Sequence, residues 1–200
     1  MVVAAAREND RIGPNAITQV MEVLTNRFGG VVTGTFFASA GLGAHIASPP
    51  REMVSERDVA VLQIALREQF GVQVAAAISQ DAGRRTGDYL LAHRIPKRVQ
   101  LLLSWMPAPL AARVLAQAIA RHSWTFAGSG TFEVRPGRPF VFAIRHNPIC
   151  SKIRASEPAC DFYAATFERL FQSIVHPNSR VLETQCESMG APACVFEIRW

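Results

Sequence analysis

Apolar positions in the first half of the chain recur at helical spacing. Ile17, Val20, Met21, Leu24 and Phe28 share one face, with Pro14-Asn15 as a start signal and Gly29-Gly30 as a stop, which predicts an amphipathic helix. Residues 30–45 are rich in Gly, Thr and Phe and read as an extended or irregular connector closed by Pro49-Pro50. Ser55 followed by Asp58 imitates a capping box, with Asp in the usual Glu or Gln position, and Val59, Leu62, Leu66 and Phe70 form the stripe of a second helix ending at Gly71. A longer helix is expected over residues 72–93, with Val74, Ile78, Ala82 and Tyr89 inward. Gly83 and Gly87 each cost such a helix about 1 kcal/mol, so the close approach of another backbone or a ligand is a reason to keep them. Leu110, Val114, Leu115, Ala118 and Ile119 mark a further helix behind Pro107 and Pro109.

Near Arg121 the period changes from helical to alternating. Residues 123–127, 131–135 and 139–145 read as short strands, the first two joined through Gly128-Ser129-Gly130 and the next pair through Arg135-Pro136-Gly137. Tyr163, Phe167, Leu170, Phe171 and Ile174 then return to helical spacing, and residues 180–185 and 194–200 supply two last strands. Short turns between consecutive strands imply an antiparallel sheet, and a run of helices before them implies α+β. The expectation is one domain over residues 1–200, helical over about 14–121 and strand-rich over about 122–200.

Composition narrows the class. With 49% hydrophobic and 18% charged residues the chain can bury a core and is not intrinsically disordered. No apolar run reaches the roughly 18 to 20 residues needed to span a bilayer. Residues 1–10 carry no basic leader before their few apolar positions, so the default address is the cytoplasm. The net charge of +5 adds little, because the one basic cluster, Arg84, Arg85, Arg94, Lys97 and Arg98, matches no helix-turn-helix, zinc-finger or RNP pattern. A solvated helix face is the expected reading, with no nucleic-acid partner.

All four cysteines, Cys150, Cys160, Cys186 and Cys194, fall in the last 51 residues. In a cytoplasmic chain the competing readings are a metal site and buried small apolar side chains. The spacings are not those of a zinc ribbon. Glu183, Cys186 and Cys194 nevertheless flank one predicted hairpin, and Cys160 precedes the aromatic helix, whose N-terminus favours a thiolate.

The motifs Cys160-Asp-Phe-Tyr, Val181-Leu-Glu-Thr-Gln-Cys186 and Gly190-Ala-Pro-Ala-Cys194-Val-Phe-Glu-Ile, with Asp81-Ala-Gly-Arg-Arg-Thr-Gly-Asp-Tyr-Leu upstream, resemble the vinyl-4-reductase domain family. The element order fits over nearly the whole chain. The stand-alone length resembles members that serve bacteriochlorophyll biosynthesis; other members are sensory domains of transcription activators and a subunit of vesicle-tethering complexes. The resemblance implies a ligand-binding α+β domain and a structural zinc held by Cys160, Glu183, Cys186 and Cys194, with Cys150 outside the motif as a buried or surface thiol. It also implies a homodimer, partnership with bacteriochlorophyll biosynthetic enzymes and a peripheral position at the photosynthetic membrane.

The activity in the family's name has no independent support in the residues. Gly41-Leu-Gly43 lacks the third glycine and the strand-to-helix setting of a dinucleotide fingerprint, and the five histidines have no distinguishing spacing. A tetrapyrrole carrier needs an apolar cavity, an axial ligand and carboxylate partners. Trp105, Trp124, Phe126, Phe140 and Phe142 are candidate walls, His93 or His146 a candidate axial ligand, and Arg84 or Arg94 a candidate carboxylate partner. Ordinary core packing is the competing reading of each aromatic. Three functions follow from the resemblance. The first is binding of a divinyl chlorophyllide or protochlorophyllide precursor in support of 8-vinyl reduction, the older 4-vinyl. The second is the reductase itself, and the third a small-molecule sensor or assembly module.

Overall fold

The computed structural model describes residues 10–200; the leader reading of the first residues lies outside the described residues. The fold is α+β. Helices α1 (Asn15–Ser39), α2 (Ala44–Ala47), α3 (Glu56–Phe70), α4 (Val72–His93), α5 (Lys97–Ser104), α6 (Ala108–Arg121) and α7 (Trp124–Ala127) come first, with two-residue strands β1 (Arg11–Ile12) and β2 (Val54–Ser55) paired antiparallel among them. The last part holds β3 (Thr131–Arg135), β4 (Phe140–Arg145), α8 (Asp161–Ile174), β5 (Arg180–Gln185) and β6 (Cys194–Arg199). The four long strands form one antiparallel sheet in the order β3-β4-β6-β5. No described helix is long and apolar enough to cross a membrane.

Helix α8 sits between two layers. Phe167 packs on Phe142 of β4 and Phe196 of β6, with ring centroids 5.0 and 5.5 Å apart, and Phe171 packs on Phe142 at 5.7 Å. The opposite side of α8 meets α4. A Cβ at Gly83 would collide with the Phe162 carbonyl oxygen and stand 2.9 Å from the Ala165 Cβ, and one at Gly87 would stand 2.7 Å from the Arg169 Cβ. The two glycines therefore serve a close helix crossing, as their spacing implied. Thr166 Oγ1 lies 3.1 Å from the Gly83 carbonyl across this seam, and Gln80 donates to Asp161 at 2.9 Å. Covered on both sides, α8 buries Phe162, Tyr163, Ala165, Thr166, Phe167, Leu170, Phe171 and Ile174.

Three expectations need correction. Residues 30–45 are not an extended connector, because Gly29 (φ 84°, ψ 163°) breaks α1 for a single residue and the helix resumes to Ser39. The Thr33 hydroxyl donates to the Gly29 carbonyl at 2.9 Å, and Phe36 and Phe37 gain burial, Phe36 against Phe70 at 5.4 Å. Residues 123–127 alternate like a strand yet close a helical turn, since the Ser123 carbonyl accepts from the N–H groups of Phe126 and Ala127 at 3.0 and 2.7 Å. The inward face of α4 is offset: Val74 is exposed and Tyr89 half-buried, whereas Ala75, Ile78, Ser79, Ala82, Gly83, Thr86 and Gly87 are buried. A period read from hydrophobic size passes over small residues, and on α4 it is closeness of packing that decides the buried face.

Gly83→Ala is expected to destabilise the protein by about 1–3 kcal/mol through overpacking of the α4–α8 seam. Gly34→Ala, in helical backbone with nothing within 4 Å of the added Cβ, should stabilise it by about 0.5–1 kcal/mol. Urea unfolding of both variants checks the contrast.

Candidate metal centre

Four chain segments end at one corner of the sheet. Cys150 lies in the loop after β4, Cys160 immediately precedes α8, Cys186 follows β5 and Cys194 opens β6. A 3-10 turn at Glu187–Met189, ended by left-handed Gly190 (φ 87°), carries the chain from Cys186 back toward Cys194. Pairing of β5 with β6 then brings the two cysteines together across the hairpin.

All four thiols are buried and unoxidised, and their Sγ atoms lie within 4.8 Å of one another. Individual separations are 3.4 Å for Cys150 to Cys194, 3.6 Å for Cys160 to Cys194, and 3.7 Å for Cys160 and for Cys194 to Cys186. A tetrahedral thiolate zinc site with Zn–S near 2.3 Å has sulfur–sulfur edges of about 3.8 Å. The four buried cysteines can hold a metal ion.

Polar groups converge on three of the sulfurs. The Asn147 side-chain amide donates to Cys160 Sγ at 3.2 Å, the Ser188 hydroxyl to Cys186 Sγ at 3.1 Å, and the Glu187 N–H to Cys194 Sγ at 3.4 Å. Such donors stabilise charge on sulfur and orient it toward a cation. Burial pushes the Cys160 thiol well up, whereas donation from Cys150, Cys160 and Cys194 holds the Cys186 thiol well below its ordinary value. Among themselves the four thiols thus favour one thiolate, at Cys186, surrounded by neutral neighbours.

Glu183 is beside this cluster. Its Oε2 accepts from the Cys160 N–H at 2.8 Å, and its Oε1 is buried without a hydrogen-bond partner. Burial, with the neighbouring Cys186 charge, pushes its carboxyl up to about 8. Three of the four residues implied by the resemblance, Cys160, Cys186 and Cys194, sit in the sulfur cluster; the structure adds Cys150 to it, whose spacing in sequence gave no cue. Asn147 and Glu187 were also unforeseen, and only the Asn147-Pro148 turn signal hinted at a bend there.

The candidate ligand residues are dispersed. Phe140 and Phe142 are buried in the core, and half-buried Phe126 stacks against Phe132, Tyr163 and Phe167 at 5.2 to 5.9 Å, so these rings fill the space between α8 and the sheet. Trp105 and Trp124 are 83% and 61% exposed, which places them outside that cluster. His93 is exposed at the end of α4 with its ring 4.7 Å from Tyr89, and Arg94 is exposed beside it. Arg84 pairs with Asp81. His146 is exposed in left-handed backbone (φ 53°), where its N–H and that of Asn147 are both held by the Glu187 carboxylate, at 2.7 and 2.8 Å.

A helix-clamped antiparallel sheet with a thiol corner defines the chain as an α+β protein of the vinyl-4-reductase type, and residues 140–200 match the model of that domain. The chain belongs to the family of the bacteriochlorophyll synthase 23 kDa chains. It is 46% identical to the Cereibacter sphaeroides protein of that name over 188 residues, covering 94% of this chain and 90% of that one. Identity to the Rhodobacter capsulatus protein of the same name is 38% over 195 residues, 96% of this chain and 90% of that one. Among solved structures the fold is similar to an Fe(II) unliganded H-NOX protein from K. algicida, with TM-score 0.60, 12% identity and coverage of 94% and 96% of the two chains. It is also similar to the phenol-responsive sensory domain of the transcription activator PoxR with phenol, with TM-score 0.52, 14% identity and coverage of 72% and 74%.

Because Glu187 alone fastens the left-handed bend before Asn147, Glu187→Ala should cost about 1–3 kcal/mol, and Glu187→Gln less, since one acceptor remains. Chemical denaturation at neutral pH measures both.

Proposed function

We propose that the chain serves bacteriochlorophyll biosynthesis as a zinc-clamped protein that binds a tetrapyrrole precursor. The precursor is of the divinyl chlorophyllide or protochlorophyllide type, and the protein supports reduction of its 8-vinyl group as a carrier or accessory factor. The observation that carries this reading is the 46% identity, over nearly the whole chain, with a protein named bacteriochlorophyll synthase 23 kDa chain. A fold shared with H-NOX proteins, one of them studied for heme distortion, supports it from the side of the scaffold. Pigment enzymes are the partners that receive the precursor, and the working unit is a homodimer.

In this reading zinc is structural. The four-sulfur geometry favours Cys150, Cys160, Cys186 and Cys194 as its ligands, with Glu183 fixing the Cys160 backbone. A second reading, with Glu183 in place of Cys150, is favoured by the unpartnered Oε1 of Glu183 and by the polar donors at the other three sulfurs. A fully liganded zinc offers charge neutralisation and cross-linking of segments, and leaves no position for a substrate.

Among the candidate pigment contacts, His93, Arg94, His146, Trp105 and Trp124 are reachable without repacking. Phe126, Phe140 and Phe142 are reachable only if α8 parts from the sheet.

Metal analysis should find one zinc per chain, and Cys186→Ser should release it and lower thermal stability. Cys150→Ser should lose zinc while Glu183→Gln keeps it; the reverse pattern puts Glu183 in the coordination shell, and retention in all three removes the zinc site. Titration of the metal-loaded protein with divinyl and monovinyl protochlorophyllide, with and without NADPH, should shift the pigment's absorbance and fluorescence without conversion. NADPH-dependent loss of the divinyl spectrum would make the chain the reductase, and no shift would end the pigment reading.

A further inference from the structure

The whole net charge of this protein has one address. Of 21 Lys and Arg residues, five (Arg94, Lys97, Arg98, Arg113 and Arg121) fall within residues 89–132, where there is no Asp or Glu; the other sixteen equal the 16 acidic residues outside it. Arg84 and Arg85, the neighbouring cations, pair with Asp81 and Glu22, but none of these five has an ion pair among the described residues. The basic cluster read from sequence as a single solvated face is thus two different things, a paired half and an unpaired half.

The unpaired half coincides with exposed apolar side chains. On α5 only Leu103 is buried, while Arg98, Leu101, Leu102 and Trp105 follow i, i+3, i+4, i+7 spacing on the opposite face. Leu101, Leu102 and Trp105 are 60%, 65% and 83% exposed. On α6 the buried residues are Ala111, Ala112, Leu115 and Ala116, and the opposite face carries Leu110, Arg113, Val114 and Arg121. Two consecutive helices therefore turn an apolar stripe threaded with cations outward, against the ordinary amphipathic arrangement.

We propose that α5 and α6 dock this protein on the surface of an anionic lipid bilayer. Bare cations beside leucines and an exposed tryptophan are the chemistry of the headgroup boundary, where apolar side chains enter the acyl layer and long basic ones reach back to lipid phosphates. The core of a protein interface, in contrast, is depleted of charge. Both helices are too short to span, so they lie in the plane of the surface.

The test is co-sedimentation of the full chain with pigment-free vesicles, either phosphatidylcholine alone or equal parts phosphatidylcholine and phosphatidylglycerol. Binding is expected to the second only, with loss at high salt and a blue shift of tryptophan emission. That shift should vanish in Trp105→Phe and persist in Trp124→Phe. Neutralising two cations in the double variant Lys97→Gln, Arg98→Gln should weaken binding about 30-fold. The pair Leu101→Ser, Trp105→Ser should weaken it as well, with the thermal unfolding curve unchanged. No binding to anionic vesicles, or equal binding by every variant, overturns the proposal. So does a dimer that leaves vesicles unbound and dissociates in the Leu101→Ser, Trp105→Ser pair, because a second copy then covers the face. The vesicles hold no pigment, so the outcome is independent of the pigment reading.

Discussion

The position of α8 is the constraint on which the other parts depend. A helix buried on both sides has no solvent face along which to slide, and both of its contacts fix it. Phe167 and Phe171 interlock with Phe142 and Phe196 of the sheet, and the glycine seam of α4 comes down on Phe162, Ala165 and Arg169. Interiors packed at crystal density transmit displacements of a methyl group. Holding α8 at this height holds its first residue, and with it Cys160, against the corner where β5 ends and β6 begins.

The thiol corner then ties together what the sheet alone leaves apart. Its ligating segments come from the loop after β4, the start of α8 and both strands of the last hairpin, and each is oriented by a neighbour rather than by its own side chain. Glu187 grips the backbone of His146 and Asn147 while its own N–H points at Cys194, so one residue of the 3-10 turn serves two thiol-bearing loops. Buried donors to sulfur, an orphaned carboxylate oxygen at Glu183 and a single favoured thiolate all describe a corner whose electrostatics are incomplete without a cation.

The legible parts of this fold were those governed by side-chain size and period. The aromatic face of α8, the β3–β4 hairpin and the close approach at Gly83 and Gly87 could be read directly. Gly29-Gly30 misled because a positive-φ glycine can interrupt a helix without ending it when Phe36 and Phe37 have a core to enter, and that core is tertiary information. Residues 123–127 misled because five alternating residues cannot distinguish a short strand from one turn of helix. Of the metal corner, Cys160, Glu183, Cys186 and Cys194 were legible through motif resemblance. Cys150 was not, since only folding of the loop after β4 brings it within 3.4 Å of Cys194.

A packed aromatic interior bears on how a pigment is held. Entry between α8 and the sheet would part rings now 5.0 to 5.9 Å apart, and α8 cannot move away without carrying Cys160 out of the thiol cluster. A metal in the corner and a ligand beneath α8 would therefore oppose each other, and by linkage each would weaken the other to the same degree. A ligand held at the exposed surface carries no such penalty. The exposed α5–α6 stripe is an apolar surface already free of core contacts, and a carrier that works there keeps its clamp closed while its cargo comes and goes. The rigid corner and the exposed stripe are in this sense complementary: the corner keeps the core shut, and the stripe leaves the protein an apolar surface to work with.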